Sequence, residues 1–154
     1  MPRVLGLDHG ERRLGFAVSD PDGILAIPLC VVEVRSDAEA VREVARLARE
    51  TESEEIVVGL PISMNGTEGA MAAKVRAFVA ALAKQVAIPI AAWDERLTTS
   101  QVERALVNAD VSRRRRKNVR DKLAAQVILQ SYLDSRAARK ARAAADDERA
   151  LATS

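Results

Sequence analysis

Asp8, the neighbouring acids Asp94 and Glu95, and Asp121 stand where a carboxylate could meet a divalent cation. Asp8 closes the apolar run Val4-Leu5-Gly6-Leu7, so side-chain alternation puts it at the carboxyl end of a strand. Gly10, just beyond it, can take a positive φ in the turn and let a phosphate or a cation-bound oxygen approach the backbone. Asp94 and Glu95 follow directly on Ile88-Pro89-Ile90-Ala91-Ala92-Trp93, a second strand tip bearing acids. Asp121 leads a helical stripe continued by Ala124, Ala125, Ile128 and Tyr132, and so heads the face that packs on a sheet. Each acid also has a plainer role open to it. Asp8 suits an Asx-type turn, Asp94 and Glu95 an ordinary polar loop, and Asp121 a first-turn acid bonded to free amides behind an N-cap at Asn118. Only if they converge do they form a site for a hard cation, whose chemistry is hydrolysis of phosphate esters.

Composition removes several alternatives. One histidine and one cysteine cannot build a cysteine- and histidine-rich zinc centre. His9, in a polar turn, has no convincing serine or cysteine nucleophile to activate and reads as a solvated side chain. Cys30, within Pro28-Leu29-Cys30-Val31-Val32, reads as a small buried hydrophobe, and a lone cysteine fits a reducing compartment. No apolar run approaches membrane-spanning length, so a cytoplasmic protein is expected. With 24 basic and 22 acidic residues the net charge of +2 names no partner, which leaves the distribution of charge to do so. Arg113-Arg114-Arg115-Arg116-Lys117, with Arg120 and Lys122 behind it, concentrates positive charge beside Asp121 and predicts contact with a phosphate backbone. Gly66 and Thr67 are further phosphate candidates, placed where a helix N-terminus would offer free amides, although a turn with an ordinary N-cap explains them equally.

The elements that must position these groups follow from periodicity and punctuation. Leu14, Phe16 and Val18 alternate along a return strand, and Pro21-Asp22-Gly23 turns the chain into a third strand over Ala26 to Val34. Ser36 and Glu39 have capping-box spacing and open a helix whose apolar face includes Val41, Val44 and Leu47. Ile56-Val57-Val58-Gly59-Leu60 reads as a central strand covered on both faces and ended by Pro61. A second helix is expected from Glu68 to Gln85, a third from Ser100 to about Asn108, and a last one from Asn118. A strand meander followed by right-handed crossovers predicts an α/β domain, one mixed five-stranded sheet flanked by helices, over residues 1–135. Residues 136–154, rich in alanine and arginine, read as a helical extension fraying into a tail.

Leu5-Gly6-Leu7-Asp8-His9-Gly10, Gly15-Phe16-Ala17-Val18-Ser19-Asp20, Val58-Gly59-Leu60-Pro61, Asp94-Glu95-Arg96-Leu97-Thr98-Thr99 and Asp121-Lys122-Leu123-Ala124-Ala125 together resemble the YqgF/RuvX family of the RNase H-like superfamily. That family is described as nucleases maturing the 5′ end of pre-16S ribosomal RNA, and also as Holliday junction resolvases. The resemblance implies an RNase H-like fold and a metal-dependent phosphodiesterase site at Asp8, Glu95 and Asp121, with Asp94 as a further ligand. Mg²⁺ or Mn²⁺ would be the cofactor, Asp8 bridging a metal pair about 4 Å apart while Glu95 and Asp121 each complete one position. Arg96 would join the Arg113 to Lys117 run in holding nucleic acid, either pre-rRNA within pre-ribosomal particles or branched DNA. The chain departs from the RuvC resolvases at the fourth strand, where Gly59-Leu60-Pro61 replaces an acid, and along the last helix, where Ala124 and Ala125 stand in place of another. The competing readings are an ATPase of the actin and sugar-kinase kind and a non-catalytic nucleic-acid or ribosome-assembly module. Few aromatics, Trp93, Tyr132, Phe16 and Phe78, favour recognition of shape and backbone over base stacking. Monomer and homodimer both stay open, a resolvase needing two copies for symmetric cuts.

Overall fold

The computed structural model describes residues 3–97 and 113–152, with the side chains of residues 97 and 113–121 left aside. Strands β1 (Arg3–His9), β2 (Arg13–Ser19) and β3 (Ala26–Glu33) form an antiparallel meander. Helix α1 (Asp37–Glu50) leads to β4 (Ser53–Leu60), and α2 (Ala70–Ala83) leads to β5 (Ile90–Asp94), each new strand adding parallel to the sheet. The resulting order is β3-β2-β1-β4-β5. A short 3₁₀ turn, Glu95–Leu97, follows β5, and α3 (Arg113–Ala152) is the last element. The helix expected from Ser100 lies outside the described residues.

Strand alternation builds two cores. Leu5, Leu7, Leu14, Phe16, Ile56 and Val58 face α1 and α2, where Val44, Leu47, Val75, Phe78 and Leu82 cover them. Val4, Ala17 and Val57 face the other way, against Ala125, Ile128, Leu129 and Leu133 of α3. Ser36 caps α1 as its spacing predicts, accepting from the Glu39 amide at 3.1 Å, while the Glu39 carboxylate reaches one residue beyond the cap to accept from the Arg35 amide at 3.0 Å.

Three boundaries differ from those expected. Helix α3 is already formed by Arg113, so Asn118 lies inside it and is not its cap. Arginine and lysine are good helix formers, and they carry the helix back through the basic run that the asparagine was expected to end. At the other end α3 is continuous to Ala152, a single helix of 40 residues and roughly 60 Å. Helix α2 begins at Ala70 behind a Gly69 cap, later than expected.

The seating of α3 on the sheet depends on Gly6. A Cβ there would lie 2.7 Å from Leu129 Cβ and 3.3 Å from the Ala125 carbonyl oxygen, both on α3. Gly6→Ala is expected to lower stability by about 1–3 kcal/mol through overpacking, read as a lower urea midpoint at unchanged slope.

Candidate active site

Register brings the ends of β1, β4 and β5 side by side. Leu7 pairs with Val58, so Asp8 comes next to Gly59, and Gly59 in turn pairs with Trp93. Asp8 follows Val4 and Gly6 by alternation and therefore faces α3, as does Gly59, whose position abuts Ile128. Glu95, at the start of the 3₁₀ turn, folds back over β4. A Cβ at Gly59 would collide with Glu95 Oε1, would lie 3.0 Å from Glu95 Cδ, and would lie 2.5 Å from Ile128 Cδ1. The space over Gly59, where the resemblance leads to the expectation of an acid, is thus filled by the Glu95 carboxyl from the end of the neighbouring strand.

Glu95 and Asp8 share a hydrogen bond, and the pair is electrostatically loaded. Burial first, then the charge of Asp8 and the hydrogen bond to it, push the Glu95 pKa up to about 8. Two carboxylates this close in a partly dry setting hold a proton between them at neutral pH, where a divalent cation would supply the same relief. Oxygen donors of this type suit Mg²⁺ or Mn²⁺. The residues present therefore fit such a cation, which would take the place of the shared proton.

The orientation of β5 is locked by Trp93. Its indole Nε1 donates to Ser131 Oγ at 3.0 Å, and its ring meets Tyr132 edge-on with centroids 5.4 Å apart. Trp93 faces α3, so Asp94, one residue on, points away. Its carboxylate is taken by Arg96, with Nη2 at 2.6 Å and Nε at 2.8 Å from Oδ2, and this bonding holds its pKa below the usual range. Asp94 and Glu95 are consequently separated: Glu95 joins Asp8, and Asp94 anchors Arg96.

The direction of α3 places residue 121. Lys122 shares a cavity with Arg13 and Glu33 beside the end of the sheet that carries Asp8, whereas Gln126 and Gln130 bond the backbone of Ala26 near the opposite end. The backbone at position 121 therefore lies at the strand-tip end that carries Asp8 and Glu95. It belongs to the third turn of α3, where backbone amides are bonded within the helix, so the role of a first-turn acid falls away. The Asp121 side chain and those of Arg113, Arg114, Arg115, Arg116 and Lys117 lie outside the described side chains. No group of three or more metal-donor side chains forms among the described residues.

The backbone departs from other expectations. Gly10 is not among the described glycines of positive φ, which are Gly23 and Gly66; a side chain at Gly10 is excluded because its Cβ would lie 2.7 Å from the Arg13 carbonyl oxygen. The Gly10 amide donates to that carbonyl at 3.0 Å. Gly66 donates to the Ser63 carbonyl at 2.8 Å and Thr67 to Asn65 Oδ1 at 3.1 Å, both in the loop before α2. All three amides are committed within their turns, so they do not offer the free phosphate-binding edge expected of them. His9 ends β1 on the face opposite Asp8, half-buried and 4.4 Å from the Phe78 ring, and burial lowers its pKa. It is a packing residue, not a solvated turn side chain.

The family described as RuvX, Holliday junction resolvase, matches residues 2–135. The chain belongs to the RuvX family. A relative from Symbiobacterium thermophilum, named "Putative pre-16S rRNA nuclease", is 49% identical over 137 residues, 89% of this chain and 95% of its own. Another of the same name, from Pelotomaculum thermopropionicum, is 47% identical over 86% of this chain and 87% of its own. Among solved structures, Thermus thermophilus RuvC in complex with a Holliday junction substrate superposes with a TM-score of 0.58 at 18% identity, covering 90% of this chain and 97% of that one. Fowlpox virus resolvase bound to Holliday junction DNA gives 0.53 at 10% identity, covering 86% and 97%. These likenesses establish the RNase H-like fold. Within RuvX, residues 136–154 extend past the matched region.

The raised Glu95 pKa has a consequence for stability. The folded protein holds a proton on Glu95 that the unfolded chain, with a carboxyl near 4.5, has released by pH 6. The stabilising contribution is therefore present below about 4.5 and is lost as pH rises towards 8. Metal-free protein is expected to lose melting temperature between pH 5 and pH 8, with Glu95→Gln showing a shallower fall. Differential scanning fluorimetry of the two proteins across that range, in EDTA, checks the sign.

Proposed function

We propose that this RuvX protein hydrolyses phosphodiester bonds with Mg²⁺ or Mn²⁺ held between Asp8 and Glu95 and completed by Asp121, and that its substrate is the 5′ leader of pre-16S rRNA. The observation that carries this reading is the Asp8–Glu95 carboxyl pair over Gly59, at the tips of β1 and β5 on either side of β4. When bound there, the cation would lower the pKa of an attacking water and screen charge on the phosphate and leaving oxygens. Asp8, on the rigid central strand, fixes the position of the site. Glu95 must surrender its proton before its carboxylate can serve as a ligand, which ties metal uptake to pH. The basic run from Arg113 to Lys117, with Lys122, would grip the nucleic-acid backbone by charge. Arg96 is tied to Asp94 and the 3₁₀ turn, and its proposed part is to hold Glu95 in register.

The substrate rests on the names of relatives at 45–49% identity, which match most of this chain. No described helix is long and apolar enough to cross a membrane; processing of ribosomal RNA would place the protein in the cytoplasm. Residues 1–135 would carry this activity, and the 136–154 extension would lie outside it. The second reading, cleavage of branched DNA, is favoured by the family description and by the junction-bound structures of the same fold. A Mn²⁺-dependent cleavage panel of pre-rRNA leader, single strands and four-way junctions separates them. Leader cleavage that exceeds junction cleavage and vanishes in EDTA supports the first reading; selective junction cleavage overturns it.

A further inference from the structure

Strands β2 and β3 leave a cavity of about 420 Å³ beside α3, lined by Arg13, Leu29, Cys30, Val31, Glu33 and Lys122. Its place relative to the carboxylates follows from register. Asp8 pairs with Gly15 and Gly15 with Val31, while Arg13 pairs with Glu33 one step nearer the β1–β2 turn. Paired residues share a face, so Asp8, Gly15, Arg13, Val31 and Glu33 all look towards α3. Gly15, between Asp8 and Val31, has no side chain, and β2 raises no wall between the carboxyl pair and the cavity. From β1 to β3 is two strand spacings, about 10 Å.

We infer that the cavity beside Arg13 and Lys122 seats a nucleic-acid phosphate flanking the one cleaved at Asp8 and Glu95. The inference rests on the nuclease reading above and adds a binding residue, Arg13, together with the path of the strand. The chemistry of the lining points to a phosphodiester. Among the described lining residues two cations from different elements, Arg13 on β2 and Lys122 on α3, stand with one acid, Glu33, in a recess next to the carboxyl pair. Arg13 brings a planar fork of donors suited to a phosphate, and Lys122 a point charge. A strand following this line would run from the Asp8–Glu95 pair past Gly15 to β3.

The test measures affinity apart from cleavage. Binding of a labelled single-stranded pre-rRNA leader is followed by anisotropy in EDTA over a range of salt, for wild type, Arg13→Gln, Lys122→Gln and Glu33→Gln. Arg13→Gln and Lys122→Gln are each expected to weaken binding about tenfold and to reduce the salt slope by about 0.7, the value of one phosphate on a single strand. Glu33→Gln removes the repelling acid and is expected to tighten binding, an outcome that a merely structural role would not give. In Mn²⁺, Arg13→Gln should raise KM and leave kcat within about twofold. Unchanged affinity and salt slope in both cation variants, or no tightening in Glu33→Gln, overturns the proposal; the latter two variants keep it testable if Arg13→Gln does not fold. Loss of cleavage dependence on Asp8 with the affinity pattern intact would count against the nuclease reading and leave the phosphate seat standing.

Discussion

Asp8→Asn is expected to reduce Mn²⁺-dependent cleavage by about 10²–10³-fold, the scale on which removing one preorganised charged group at a reacting phosphate acts. The substitution keeps the volume and the strand, so the loss would be one of charge. It also relieves the repulsion that helps raise the Glu95 pKa, so the fold should be no less stable than wild type at pH 8. Cleavage of a pre-rRNA leader at saturating Mn²⁺, with melting temperatures measured alongside, gives both halves of the result. Full activity in a preparation free of other nucleases would remove Asp8 from the site.

Gly59→Ala is expected to act at a distance from any ligand, through the space it occupies. The new Cβ meets the Glu95 carboxyl on one side and Ile128 Cδ1 on the other. Ile128 is a buried residue of α3 with little room to withdraw, so Glu95, at the start of a short turn, is the group that moves. Displacing one of the paired carboxylates should lower cleavage by about 10²-fold, with a stability cost of about 1–3 kcal/mol from overpacking. A double-mutant cycle separates the two effects. In a Glu95→Ala background the carboxyl is already gone, so adding Gly59→Ala should cost little further activity while still costing stability. Additive losses of activity would mean that Gly59 does not work through Glu95.

Much of this architecture was legible in the amino-acid order. Alternation in Leu14, Phe16 and Val18, the run Ile56 to Leu60, and the Ser36–Glu39 spacing specify their elements locally, and those elements form. Convergence of Asp8 with Glu95 was expected from strand tips in one sheet, but the reason for it was not visible. Gly59 registers in sequence as a missing acid; that the neighbouring strand fills the vacancy is a relation between β4 and β5, set by a register that no single segment encodes. The separation of Asp94 from Glu95 did have a signal. Trp93 is the large apolar residue that must face a core, and parity then turns Asp94 the other way, where Arg96 receives it. The start of α3 was misplaced because Asn118 resembles a cap, while helix propensity across the basic run outweighs it. Gly66 and Thr67 looked like a helix entrance, yet the loop from Ser63 uses their amides internally.

The chemistry proposed for this RuvX protein depends on Asp8 and Glu95 exchanging a shared proton for a divalent cation. Titration calorimetry of Mn²⁺ into the substrate-free protein at pH 7, repeated in two buffers of different ionisation enthalpy, reads that exchange directly. Saturable binding with release of about one proton per protein, absent from Glu95→Gln, is the expected result. Binding that releases no proton, or that survives unchanged in both Asp8→Asn and Glu95→Gln, would place the metal elsewhere.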